Sequence, residues 1–306
     1  MLRKCLMKRD ENMSEKIGFI GLGVMGAPMA RNLTSKYDVI VFDIDNARMG
    51  LVPKARKAEN IGEVGSSAET VLLSLPSSDI VKEVVLGTGG LMQNMRRGST
   101  IIDASTTLPD ITQEISHTLK KMAGIFFLDA PVSGGEKAAI EGNLSVMVGG
   151  EQEAFEKSLE ILHTIGTSVV RMGESGMGEI TKLVNNLIVG ITFVAVAEGF
   201  ALGTKSGLNP KVLYEAIRNG WAGSKVLDVS AEAILPRNFK PGGTVNIHWK
   251  DLGYALELAR KKDVPVPATA LAHEIFKAAR ASGIGHLSQP AIVNLWEDLL
   301  KIVIKE

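Results

Sequence analysis

Three polar side chains at the mouth of an apolar run have types and spacing that suit chemistry. Lys182, Asn185 and Asn186 occur in "GMGEITKLVNNLIVG" at i, i+3 and i+4, a spacing that sets them on one face of a helix. From Leu183 to Gly203 the chain is almost continuously apolar, so that helix is built for burial. An amine and two carboxamides buried without partners are costly, so either neighbouring groups satisfy them or a ligand does. A desolvated lysine can give and take a proton, and a carboxamide can hold a hydroxyl or carboxylate in register. The structural alternatives are a lysine reaching from the helix end to solvent and asparagines bonded to nearby backbone.

A second group is glycine-rich. "IGFIGLGVMGAPMARNL" holds Gly21-Leu22-Gly23-Val24-Met25-Gly26 in a G-x-G-x-x-G pattern between an expected strand and an expected helix. Such a turn brings backbone N–H groups to a pyrophosphate at a helix N-terminus. By itself the pattern is weak, because strand-to-helix turns also carry glycine for packing. The strand "DVIVFD" strengthens it, ending at Asp43, 17 residues beyond Gly26. A carboxylate there can accept both hydroxyls of an adenosine ribose and repels a 2′-phosphate. No cation follows in Ile44, Asp45 and Asn46, so the expected cofactor is NAD. The alternative is that Asp43 merely caps the helix "DNARM". A third group, Ser133-Gly134-Gly135 in "DAPVSGGEKAA", offers a hydroxyl and approachable backbone N–H groups to a carboxylate, or is a plain loop.

These groups need a scaffold. "KIGFIGLG", "DVIVFD", "TVLLSLP", "STIIDAS", "IFFLDAP", "LSVMVGG" and "SVVRMG" read as strands alternating with helical spacings such as "LPDITQEISHTLKKM" and "EQEAFEKSLEILHTI". Strand–helix alternation implies an α/β, Rossmann-type doubly wound parallel sheet. After Gly173 only helical patterns follow, ending in "QPAIVNLWEDLLKIVIKE". The expected organisation is a disordered extension over residues 1–15, a dinucleotide-binding domain over 16–174 and an all-α domain over 175–306.

Composition narrows the function. Lys plus Arg and Asp plus Glu number 34 each, so no overall field draws the chain to nucleic acid. Cys5 is the only cysteine, which excludes an internal disulfide framework and fits a reducing cytoplasm. The N-terminal "MLRKCLMKRDENMSEK" has no apolar run to act as a signal peptide, and Met13 is a candidate alternative start. The run from Leu183 to Gly203 is long enough to span a bilayer. It carries Asn185, Asn186 and Glu198, and no second span accompanies it; the expectation is a central helix surrounded by protein, not a membrane segment. The five histidines lack any paired ligand spacing, so no metal is expected.

"GFIGLGVMGAPMARNL", "DAPVSGG", "GMGEITKLVNN" and "HWKDLGYALELA", in that order, resemble the β-hydroxyacid dehydrogenase family from about Lys16 to Glu297. The resemblance implies hydride transfer between a nicotinamide cofactor and a small hydroxy acid. It makes Lys182 the catalytic lysine and Ser133, Gly134 and Gly135 the substrate-binding turn. Asn186, with Asn185 beside it, matches the substrate asparagine. Lys250 of "KDL", Thr106 of "DASTTLP" and the Leu75-Pro76 loop match positions beside the cofactor. Read without the resemblance, Lys250 and Asp251 are equally a surface charge pair. "IRNGWAGSKVLD" and "RNFKPG" look more like the branch that reduces 2-hydroxy-3-oxopropionate (tartronate semialdehyde) to glycerate than the 3-hydroxyisobutyrate branch. Trp221 there either narrows the pocket or packs in the helical domain. A non-catalytic dinucleotide sensor would lack the proton donor. Imine reduction commonly has Asp or Tyr at the position of Lys182, and phosphogluconate oxidation needs a large C-terminal extension. One long apolar helix that needs cover on all sides implies a homodimer or homotetramer.

Overall fold

The computed structural model of the chain describes residues 15–240 and 242–306. The expected N-terminal extension, with Cys5 and Met13, lies outside the described residues except for Glu15.

Short apolar segments, mostly buried except for the exposed pair β3 and the largely exposed β9, form the strands: β1 (Lys16–Ile20), β2 (Asp38–Phe42), β3 (Arg56–Lys57), β4 (Thr70–Leu73), β5 (Thr100–Asp103), β6 (Phe126–Asp129), β7 (Val132–Ser133), β8 (Leu144–Gly149) and β9 (Gly166–Gly173). They lie in one sheet in the order β3-β2-β1-β4-β5-β6-β8-β7, with β9 also on β8. The first six run parallel. The order reverses between β1 and β4, which opens a crevice at their carboxyl ends where doubly wound sheets bind ligands. One hydrophobic core covers each face of the sheet, the first built round Phe19, Leu72 and Ile102 and the second round Val71, Leu73 and Ile101.

The sheet departs from the expected all-parallel arrangement at one edge. β8 runs antiparallel to β6 and β7, while β9 is parallel to β8. Residues 134–143, which connect β7 to β8, are too few for a parallel crossover, which takes a dozen or more. They form one short helix, Gly135–Glu141, that turns back through left-handed Gly142. That return stations the Ser133-Gly134-Gly135 turn over the carboxyl end of the sheet.

Beyond β9 the chain is all helical. The longest element, Met177–Lys205, spans about 44 Å at 1.5 Å per residue. It packs on β6, β8 and β9 at its start and on the helices Lys225–Ile234, Val245–Lys261 and Pro267–Ala281 further along. A third core, with Phe193, Phe200, Leu252 and Phe276, surrounds its second half. By length and composition it is the one described helix long and apolar enough to cross a membrane. The last expected helix is broken. A 3₁₀ turn at Gln289–Val293 leads into Asn294–Leu300, which stops at Lys301 in the left-handed region. The reason is Glu297, which holds Arg237 through both carboxylate oxygens and accepts the Ile304 N–H at 2.6 Å, so the tail folds back and buries Ile304.

Candidate active site

The three glycines of the first turn serve three different purposes. Gly21 is left-handed (φ 92°), and a Cβ there would stand 2.3 Å from the Ser74 carbonyl oxygen. Gly26 begins the helix Gly26–Leu33, and its Cβ would stand 1.9 Å from the Gly21 carbonyl oxygen, so only glycine lets helix and turn close together. At Gly23 a Cβ would meet nothing within 4 Å. Packing gives no reason for glycine there; room for a ligand does. Val24 is exposed beside it, and Met25 packs half-buried on the core. The cleft here is lined by Leu22, Gly23, Val24, Arg31, Arg48 and Glu136. Glu136 directly follows Gly135, so the second turn borders the same cleft. These features fit a nicotinamide dinucleotide, the diphosphate over the glycine turn.

Asp43 is buried at the end of β2, with one oxygen accepting the Leu22 N–H at 2.6 Å and the other the Asp45 N–H at 2.8 Å. It does not cap the next helix: Asp45 does, accepting the Ala47 N–H. Asp43 ties the glycine turn to the second strand, and each carboxylate oxygen keeps a further lone pair. Leu75 rests against Gly21, and its N–H is held by the Ser105 hydroxyl at 2.8 Å; Pro76 beside it is exposed.

Lys182 joins the helical region to the sheet. Its Nζ donates to the Val132 carbonyl at 2.7 Å, one residue before Ser133. Gly134 and Gly135 that follow are both at positive φ (136° and 71°), and a Cβ on Gly135 would meet nothing within 4 Å. Burial is the main influence on the amine and pulls its pKa below the ordinary lysine value; Asp251 and, when ionised, Glu179 pull it up, and Lys250 pushes it down. Asn186 is buried one turn on, donating to Asp251 at 2.7 Å and accepting from Asn185 at 2.9 Å. Lys250 donates to the Thr106 carbonyl at 3.0 Å and stands 3.0 Å from the other Asp251 oxygen. Asn185, Asn186, Asp251, Lys250 and Thr106 form one polar network, and Lys182, on the same helix as Asn186, stands beside it with its own bond next to the Ser133 turn.

Several of its members were not singled out from the sequence. Asp251, 3 % exposed, is no surface charge. Its signal is periodicity, since it shares the buried stripe of His248, Leu252, Ala255 and Ala259. His248 is sealed against Phe193 and Phe276, and burial drives its pKa down to about 4, so it is a neutral core histidine. Glu179, wholly buried, lies four residues before Leu183 on the same face, and its Oε2 accepts the Thr107 N–H at 3.0 Å. Trp221 does not pack in the helical region: its side chain is fully exposed, because the turn between the helices Pro210–Ile217 and Lys225–Ile234 carries it outward.

Both halves of the chain resemble known proteins. Residues 16–173 match the family described as the NAD binding domain of 6-phosphogluconate dehydrogenase. Residues 176–296 match the one described as NAD-binding of NADP-dependent 3-hydroxyisobutyrate dehydrogenase. The 2-(hydroxymethyl)glutarate dehydrogenase of Eubacterium barkeri is 37 % identical over 94 % of this chain and 96 % of its own length. The 2-hydroxy-3-oxopropionate reductase of Escherichia coli (strain K12) is 34 % identical over 92 % of this chain and 97 % of its own. The chain belongs to the β-hydroxyacid dehydrogenase family. Like other members it is an oxidoreductase acting on CH–OH groups with a nicotinamide dinucleotide. A crystal structure of 3-hydroxyisobutyrate dehydrogenase from Salmonella typhimurium superposes with a TM-score of 0.84 at 26 % identity, covering 92 % of this chain and 99 % of that one. Within the family the substrates named for the relatives differ.

Proposed function

We propose that this chain interconverts a small 3-oxo acid and its 3-hydroxy acid at NAD(H), with 2-hydroxy-3-oxopropionate reduced to glycerate as the leading substrate pair. The observation that supports it best is the bond from Lys182 to Val132, which stations the only amine on the long helix's inner face beside the Ser133-Gly134-Gly135 turn. The bound nicotinamide supplies or accepts the hydride. Lys182 gives its proton to the reacting oxygen in reduction and takes the hydroxyl proton in oxidation. Ser133, Gly134 and Gly135 hold the substrate carboxylate, and Asn186, fixed by Asp251, orients the hydroxyl, with Asn185 steadying it. Lys250, Thr106, Leu75 and Pro76 border the nicotinamide end, and Asp43 receives the ribose.

The substrates named for the relatives share one core, a primary alcohol or aldehyde on the carbon next to the one bearing the carboxylate. They differ only in the third substituent, a hydroxyl, a methyl or a carboxyethyl group. A panel of these acids and aldehydes, followed by nicotinamide absorbance, tests the assignment. Tartronate semialdehyde is expected to have the highest kcat/KM; if it ranks among the poorest, the assignment to that branch falls. The Eubacterium barkeri relative supports a second reading, in which 2-(hydroxymethyl)glutarate leads the panel.

For the cofactor, Asp43→Ser is expected to erode the preference for NAD over NADP on the order of tenfold, because it removes a carboxylate that repels the 2′-phosphate. An unchanged ratio of the two kcat/KM values would mean that the ribose is read elsewhere. We read the chain as a cytoplasmic homo-oligomer. Val184, Ile188 and Leu202 form an exposed apolar stripe on the long helix, and a Cβ at Gly199 between them would meet nothing within 4 Å; a second copy of the chain would cover it.

A further inference from the structure

Three carboxyls meet in a solvent-free layer between the sheet and the helix that carries Lys182. Asp103 and Asp129 end the adjacent strands β5 and β6 side by side, and Glu179 stands in the first turn of the helix; all three are fully buried. Their hydrogen bonds are unequal. Asp129 accepts the Gly176 N–H at 2.8 Å with one oxygen and the Glu179 N–H at 3.1 Å with the other, so it caps the helix N-terminus as a carboxylate should. Asp103 accepts the Ser105 N–H through Oδ1 at 3.0 Å, and its Oδ2 has no partner. Glu179 accepts the Thr107 N–H through Oε2, and its Oε1 has no partner. Two acceptor oxygens left bare in one dry cluster are expensive as a pair of anions. One proton resolves both.

We propose that Glu179 is a positioning residue, a neutral carboxyl that donates its proton to Oδ2 of Asp103 and so joins the Lys182 helix to the loop carrying Thr106. The arrangement selects Glu179 as the proton's holder. Asp129 is engaged by helix N–H groups, and Asp103 by Ser105 with Lys250 in its field, whereas Glu179 faces Asp103 and Asp129 and is met by Thr107 alone, through its N–H and hydroxyl. Burial and these two neighbours push its carboxyl well above the usual range. Lys182, one turn along the same helix, is the only cation on its own element that faces it. Through Thr107 the neutral pair fixes the segment Ser105–Thr107, whose Ser105 hydroxyl holds Leu75 and whose Thr106 carbonyl holds Lys250. Because Glu179 carries no charge, it does not hold the Lys182 amine in its ammonium form. This last consequence rests on Lys182 being the proton-transfer group; the protonation of Glu179 does not.

The test compares Glu179→Gln, which keeps a donor and an acceptor, with Glu179→Ala in the full-length protein. The folded chain retains a proton that an unfolded glutamate releases above a pH of about 4.3, so Glu179 costs the parent stability as pH rises until the folded group also ionises. The melting temperature of Glu179→Gln relative to the parent is therefore expected to increase from about pH 5 to about pH 8. A difference that stays flat or reverses overturns the proposal, whatever the enzyme's substrate. Infrared spectra of the parent at neutral pH should contain a buried protonated-carboxyl band that Glu179→Gln lacks; its absence from the parent also overturns it. In kinetics, Glu179→Ala should lose on the order of tenfold in kcat/KM, and Glu179→Gln should recover it with the pH profile of the parent. A profile displaced to lower pH in Glu179→Gln would mean that Glu179 was an anion supporting the Lys182 ammonium, and the proposal fails.

Discussion

Lys182→Ala is expected to lower turnover by on the order of 10²–10⁴ while NADH still binds, the range removed with a general acid or base. Its amine is anchored on the Val132 carbonyl and partly desolvated, so on the proposed mechanism alanine takes away both the proton donor and the cation next to the developing oxyanion. Lys182→Arg separates those two roles. A guanidinium stays charged at any working pH, so it can stabilise the oxyanion but neither takes nor gives up a proton, and kcat/KM should fall in both directions to what the charge alone supports. The pH dependence of the parent follows with a definite sign. Oxidation needs the neutral amine, so its kcat/KM rises with pH through the Lys182 pKa; reduction needs the ammonium and falls through the same point. Burial sets that midpoint below the roughly 10.4 of a lysine in water. Stopped-flow turnover and NADH fluorescence titration check the set. Near-normal activity in Lys182→Ala would remove the residue from the mechanism.

What the sequence disclosed about this cleft follows from what periodicity and glycine can encode. The Gly21–Gly26 turn, Asp43 and the seven expected strands are local signals, and each stands where the local pattern puts it. Lys182 and Asn186 stood out because they interrupt an apolar run. Asp251 and Glu179 carry a comparable signal, a charged residue on the buried stripe of a helix, but each could also be read as an ordinary exposed charge. Which reading holds depends on Asn186 and Thr107, 65 and 72 residues away in the chain, and no local window spans that separation. The antiparallel β8 was hidden for a related reason, since strand direction is set by the length of the β7–β8 connection and not by the apolar character of "LSVMVGG". Trp221 shows the limit on the other side: a large aromatic on a turn gives no pattern that separates burial from exposure, and here the turn faces outward.

The same geometry makes Gly23 and Gly26 separable by experiment, although both belong to one motif. At Gly26 an added methyl would stand 1.9 Å from the Gly21 carbonyl oxygen, a backbone atom that can move only by opening the turn. Overpacking of this kind costs about 1–3 kcal/mol. Gly26→Ala should therefore lower the melting temperature and, by displacing the turn, weaken NADH binding as well. At Gly23 the methyl meets nothing within 4 Å, so Gly23→Ala should melt with the parent; replacing glycine within its allowed backbone conformation tends if anything to stabilise slightly. Its effect is confined to the bound state, where the methyl occupies the space in which the diphosphate approaches the backbone N–H groups. NADH affinity is expected to fall on the order of 10- to 100-fold, about 1.4–2.7 kcal/mol. Thermal melts of the apo proteins with isothermal titration of NADH make the comparison. Normal NADH affinity in Gly23→Ala would move the cofactor off this turn, and an unchanged melt in Gly26→Ala would mean that the helix and turn are not closed as tightly as their contact requires.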